Sequence, residues 1–164
     1  PAFFDHLESG AELSYDRIGA NKGKAMVNEV GFERALEDVA SAAEAIHSAG
    51  RIACVGYSWG GTIALLAAMR PGMPAVSYYG SRNLPFLHEV PQAPIQFHFG
   101  DKDPAIPPEA VDKHRVALPQ MEVFTYPADH AFNRDGSAPY HEPSAKLAMQ
   151  RTLTFLERNL AQDA

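Results

Sequence analysis

The sequence has a single cysteine in 164 residues. Cys54 can form no internal disulfide and reads as a small buried hydrophobe, so a reducing cytoplasm is the simplest compartment. Blocks of lysine and arginine are also missing, and the formal net charge is −6. That balance disfavours nucleic acid and anionic membrane as partners. Long hydrophobic runs are absent. The longest aliphatic stretch, Ile63 to Met69, is far too short to span a bilayer, and no signal peptide is recognisable. The histidines show no zinc-type spacing, and Asp101-Lys102-Asp103-Pro104 lacks the remainder of a calcium loop. Neither a metal nor an organic cofactor is expected. What is present, 46% hydrophobic residues, suits one globular domain over residues 1–164 with a real core. The chain opens on Pro1 rather than methionine, which predicts a processed, trimmed or partial chain.

Residues 1–30 read as irregular. Phe32, Leu36, Val39, Ala43 and Ile46 then recur at helical spacing, with Gly50 as a stop. Strands are predicted at Ile52 to Tyr57, Ala75 to Tyr79, Ile95 to Phe99 and Met121 to Tyr126. Helices are predicted from Gly60 to Met69, and from the prolines at 107 and 108 to about Leu118. A last helix begins near Ser144 as N-cap and carries Met149, Leu153, Leu156 and Leu160 as one apolar stripe. Strands alternating with helices predict an α/β fold, a parallel sheet covered on both faces.

The chemistry concentrates in Gly56-Tyr57-Ser58-Trp59-Gly60. A serine in a tight turn between a strand and a helix is the arrangement that projects a hydroxyl as a nucleophile. Crowding at the turn is expected to exclude a Cβ at both flanking glycines, and the serine is expected in strained φ/ψ. A phosphate-binding βα turn is the plainer alternative, but neither Gly-x-Gly-x-x-Gly nor a Walker lysine is present.

A serine hydroxyl needs a base, and the base needs a carboxylate to hold its tautomer. In an open α/β sheet both should lie beyond the carboxyl ends of strands. Asp101 and Asp103 follow the third strand and His130 follows the fourth. The order Ser, Asp, His along the chain is that of α/β-hydrolases. The two aspartates are rival acids, and His141 is a rival base farther from the strand end. His98, within a strand, reads as a hydrogen-bonded core residue. The backbone N–H of Trp59 is the expected oxyanion donor.

Beyond these groups, the chain resembles the dienelactone hydrolase family of α/β-hydrolases over nearly its whole length. The resemblance lies in Val55-Gly56-Tyr57-Ser58-Trp59-Gly60-Gly61, Tyr78-Tyr79-Gly80 and Phe97-His98-Phe99-Gly100-Asp101-Lys102-Asp103. It continues in Asp129-His130-Ala131-Phe132-Asn133-Arg134 and Gln150-Arg151-Thr152-Leu153-Thr154-Phe155-Leu156. It implies a three-layer α/β-hydrolase-type parallel sheet and selects Asp103 over Asp101. It also implies that Arg134 grips a substrate carboxylate, with Tyr57 beside the nucleophile as a further substrate contact. The well-known members carry cysteine where this chain has Ser58, which moves the expected substrate from a specific lactone toward small carboxylic esters generally. The resemblance further implies that this is the C-terminal part of the fold, without the opening strands and the loop bearing the second oxyanion donor. The strand at Ile52 would then expose an unpaired edge that invites self-association. Two other functions share the same motifs: a peptidase or acyl-transferring serine hydrolase on this fold, and an inert fragment or binding protein.

Overall fold

A computed structural model describes residues 1–161. The chain forms two compact units, one of residues 1–48 and one from residue 49 onward.

In the first unit a short 3-10 turn, Phe3–His6, precedes helix α1, Arg17–Ile46. The expectation of irregular structure up to residue 30 is therefore wrong for its second half. Asp16 provides the start signal. It caps α1 by accepting a hydrogen bond from Gly19 N–H at 2.8 Å, which satisfies one of the orphan donors of the first turn. That hydrogen bond also lowers the Asp16 carboxyl from its usual value. The helix breaks at Gly31, whose φ of 72° is non-helical, so two helical stretches meet there. His6 Nε2 lies 2.8 Å from Asp38 across this unit, tying the opening turn to α1.

The second unit is built on strands β1, Cys54–Tyr57; β2, Ala75–Tyr78; β3, Ile95–Gly100; and β4, Glu122–Tyr126. They form one sheet in the order β1-β2-β3-β4, parallel throughout. Helix α2, Trp59–Met69, joins β1 to β2; α3, Pro108–Ala117, joins β3 to β4; α4, Glu142–Leu160, follows β4. Between β2 and β3 there is only a 3-10 turn, Leu84–Phe86.

Strand alternation sorts these helices into layers. Phe97 and Phe99 point to one face, where both rings meet His114 of α3 at 5.0 and 4.8 Å. Ser77 shares that face, and the Gly61 backbone of α2 passes close to it. Tyr78, Gln96 and His98 point to the other face, where Tyr78 and His98 hydrogen-bond Thr152 of α4. The result is the three-layer arrangement expected. No helix among the described residues is long and apolar enough to cross a membrane.

Two details of α4 depart from the sequence reading. His141, not Ser144, occupies the cap position, and its ring Nδ1 lies 2.7 Å from the Ser144 hydroxyl. The buried stripe is Ala145, Ala148, Thr152 and Phe155, whereas Met149 and Leu153 are 41% and 52% exposed. Thr152 is buried in that stripe because Tyr78 and His98 supply it with polar partners.

Candidate active site

Ser58 sits between β1 and α2 with φ 54° and ψ −117°. Its own N–H donates to Tyr78 O at 3.0 Å, and its carbonyl accepts from Gly61 N–H at 2.9 Å. The turn is thus hydrogen-bonded both to the neighbouring strand and to the helix it starts. A Cβ on Gly56 would run into the carbonyl of Gly60, so glycine is required there. Gly60 itself is different: a Cβ there would meet nothing, contrary to the expectation for both flanking glycines. The second close approach belongs to Gly61, whose Cβ would lie 2.6 Å from Tyr78 O.

The candidate acid comes from the loop after β3. Asp103 is 3% exposed, and one of its oxygens accepts the Ala105 N–H at 2.8 Å. The candidate base comes from the loop after β4. These loops are pressed together, since Lys102 N–H donates to Ala128 O at 3.0 Å and a Cβ on Gly100 would collide with Ala128. This approach brings His130 Nδ1 to 2.6 Å from Asp103 Oδ2. His130 Nε2 lies 2.9 Å from Ser58 Oγ. Because Asp103 accepts from Nδ1–H, Nε2 keeps its lone pair toward the serine hydroxyl. The imidazole is partly open to solvent while the Asp103 side chain is shielded, so an approaching molecule reaches His130 and not Asp103.

The rivals lie elsewhere. Asp101 is exposed and is tied to the β4 end by its own N–H, which donates to Tyr126 O at 2.8 Å. His141 is engaged with Ser144 at the start of α4. His98 is fully buried. Of the remaining candidates, Trp59 opens α2, so its amide belongs to the first helical turn, where N–H groups lack intrahelical acceptors. Tyr57 is 44% exposed, with its ring 4.9 Å from that of Tyr78. Arg134 is exposed; burial pushes the Tyr79 hydroxyl up, and the nearby Arg134 charge only partly opposes that.

The sequence reading passed over Tyr79 as a member of the site. Its ring centroid lies 5.1 Å from that of His130. A tyrosine at a strand end beside a glycine was its only signal.

The dienelactone hydrolase family model matches residues 8–160. A Salmonella typhimurium protein with a provisional carboxymethylenebutenolidase designation is 39% identical over 64% of this chain and 45% of its own length. The carboxymethylenebutenolidase of Pseudomonas putida is 35% identical over 67% of this chain and 50% of its own. This chain thus spans about half the length of the curated relatives it matches. A solved Klebsiella pneumoniae structure with a provisional dienelactone hydrolase designation superimposes with a TM-score of 0.71 at 34% identity. It covers 80% of this chain and 64% of that one.

Proposed function

The chain belongs to the dienelactone hydrolase family, and from that premise we propose that the protein hydrolyses a small carboxylic ester or lactone through an acyl-enzyme on Ser58. The observation that carries this reading is the unbroken relay of two contacts, 2.9 Å from Ser58 Oγ to His130 Nε2 and 2.6 Å from His130 Nδ1 to Asp103 Oδ2.

His130 Nε2 takes the hydroxyl proton as Ser58 Oγ attacks the substrate carbonyl. Asp103 holds the imidazole in the required tautomer and stabilises the imidazolium. Negative charge on the tetrahedral oxygen is received by the Trp59 N–H at the start of α2. The imidazolium gives its proton to the leaving alkoxide and the acyl group stays on Ser58. Water then attacks with His130 again as base, and the imidazolium returns that proton to Ser58 Oγ as the carboxylic acid departs. No step calls on a metal or an organic cofactor. Arg134 offers two parallel hydrogen bonds to a substrate carboxylate, and the exposed part of the Tyr57 ring offers an apolar contact.

In this reading residues 1–164 act as one α/β-hydrolase-type domain in the cytoplasm, where burial keeps the Cys54 thiol protonated by raising it to about 11. The outer edge of β1 pairs with no other strand among the described residues. It is the surface we assign to self-association, to be checked by sedimentation equilibrium.

The test is turnover of p-nitrophenyl esters, dienelactone and aminoacyl amides by the intact protein. Ser58→Ala is expected to lower kcat/KM on the esters by about 10⁴-fold or more. Arg134→Gln is expected to raise KM about ten-fold for a carboxylate-bearing ester and leave a neutral one unchanged. Undiminished ester turnover by Ser58→Ala removes Ser58 from the chemistry. Preferential amide cleavage replaces the esterase with a peptidase.

A further inference from the structure

Among the described residues, three other than glycine have positive φ: Ser58 at 54°, Tyr79 at 39° and Ala131 at 61°. All three border the candidate site. The nucleophile turn accounts for Ser58. Tyrosine and alanine rarely adopt this region, and such residues persist only where their surroundings hold them.

What holds Tyr79 is visible. Its N–H donates to His98 O at 2.7 Å, continuing the β2–β3 ladder past the end of β2. Its ring is 2% exposed. On one side the ring meets the His130 imidazole at 5.1 Å, and on another it meets Phe132 edge-on at 5.4 Å. The segment it touches is a turn closed by Arg134 N–H donating to Ala131 O at 2.9 Å, and Ala131 is the strained residue within that turn. One side chain therefore contacts His130 and Phe132, the residues on either side of strained Ala131.

We infer that Tyr79 is a positioning residue for His130: its ring packs against the imidazole and against Phe132 in the turn that follows, so that the imidazole keeps Nε2 within reach of Ser58. The inference rests on the serine-hydrolase reading above and deepens it. Asp103 fixes the tautomer of the imidazole, but contacts at its two nitrogens leave the ring free to tilt about the line that joins them. The Tyr79 ring restricts that tilt, and its edge-on contact with Phe132 braces the turn around Ala131. The Tyr79 side chain is buried, so its effect is expected on kcat and not on binding.

Tyr79→Leu removes the ring; Tyr79→Phe keeps it. On a p-nitrophenyl ester, Tyr79→Leu is expected to lower kcat about ten-fold with KM within two-fold, because small misplacements of a catalytic group are costly. Tyr79→Phe is expected to keep kcat within two-fold of the parent. Ala131→Gly relaxes the turn with Tyr79 intact, and is expected to lower kcat several-fold without lowering the melting temperature. These expectations separate positioning from a general structural role, under which activity would track the folded fraction. A folded Tyr79→Leu protein with kcat within two-fold of the parent overturns the proposal, and so does a change confined to KM. Where Tyr79→Leu does not fold, Ala131→Gly decides, and kcat within two-fold of the parent there overturns the proposal. Failure of the underlying reading looks different: Ser58→Ala would then match the parent, whatever the Tyr79 variants do.

Discussion

His130 and His98 are each held by hydrogen bonds at both ring nitrogens, and the proposed function gives them opposite roles. His130 lies between a shielded carboxylate and a serine hydroxyl, with its ring partly open to solvent. His98 lies within β3, fully buried. Its Nδ1 is 2.7 Å from the Tyr126 hydroxyl, and its Nε2 is 2.8 Å from Gln96 Oε1. Arg151 donates to the Tyr126 oxygen at 3.2 Å. Tyr126 therefore donates its O–H to Nδ1, and Nε2–H donates to Gln96. Burial, with the Arg151 charge nearby, lowers His98 to about 3, so it stays neutral wherever the protein is folded. Hydrogen-bonding capacity is the same in the two places. What distinguishes a base from a brace is an anion able to stabilise the charged form, and access for a reactant.

The sharpest way to break that comparison is to remove the anion. Asp103→Asn keeps the size of the side chain but offers the imidazole a neutral partner and an ambiguous tautomer. The expected result is a loss of about 10³- to 10⁴-fold in kcat on a p-nitrophenyl ester. Asp101→Asn, one turn residue away and exposed, should stay within two-fold. Equal losses in the two variants would mean that the carboxylate at 103 has no special part in activating His130.

The opposite arm of the comparison is read in stability. His98 is lowered in the folded protein relative to the ordinary histidine value of about 6.5. Between about pH 6.5 and pH 3 the unfolded chain therefore binds more protons at this residue than the folded one. The stability contributed by neutral His98 is present above pH 6.5 and is lost as pH falls, by up to about 1.4 kcal/mol per pH unit. Burial also lowers His114, with the same sign. His98→Gln can still accept from Tyr126 and donate to Gln96 but does not titrate. Moving from pH 7 to pH 5 should cost the parent about 2 kcal/mol more than it costs His98→Gln, measured by urea unfolding at both values. Parallel pH dependence in the two proteins would mean that His98 does not charge on unfolding.

The same contrast explains what could be read from the sequence. His130 was legible because a reactive group must lie beyond a strand end, and the strand before it carries clear β-branched and aromatic residues. The choice of Asp103 over Asp101 came from family resemblance, since two aspartates two positions apart offer identical chemistry until the loop is folded. Helix α1 before residue 31 was missed because Gly19, Asn21 and Gly23 are poor helix formers, and the Asp16 cap was overlooked. The α4 stripe was misassigned because leucine and methionine outweigh alanine and threonine in an apolar count, while packing against the sheet selected the small residues. Tyr79 escaped because a positive φ at tyrosine follows from tertiary contacts with residues 130 and 132, far away in sequence.

The smallest expected effect tests the turn itself. The glycines of Gly56-Tyr57-Ser58-Trp59-Gly60 look symmetric in the sequence, but only Gly56 is crowded, and it is crowded by the carbonyl of Gly60. Gly60 needs its backbone where it is and leaves room for a methyl group. It lies in the first turn of α2, where alanine is preferred over glycine because fewer unfolded conformations are lost on folding. Gly60→Ala should therefore stabilise the protein by about 0.5 kcal/mol, a rise of a few degrees or less in melting temperature. A clear fall in melting temperature would mean that the turn is tighter on its helical side than the space around Gly60 indicates, and the two glycines would again be equivalent.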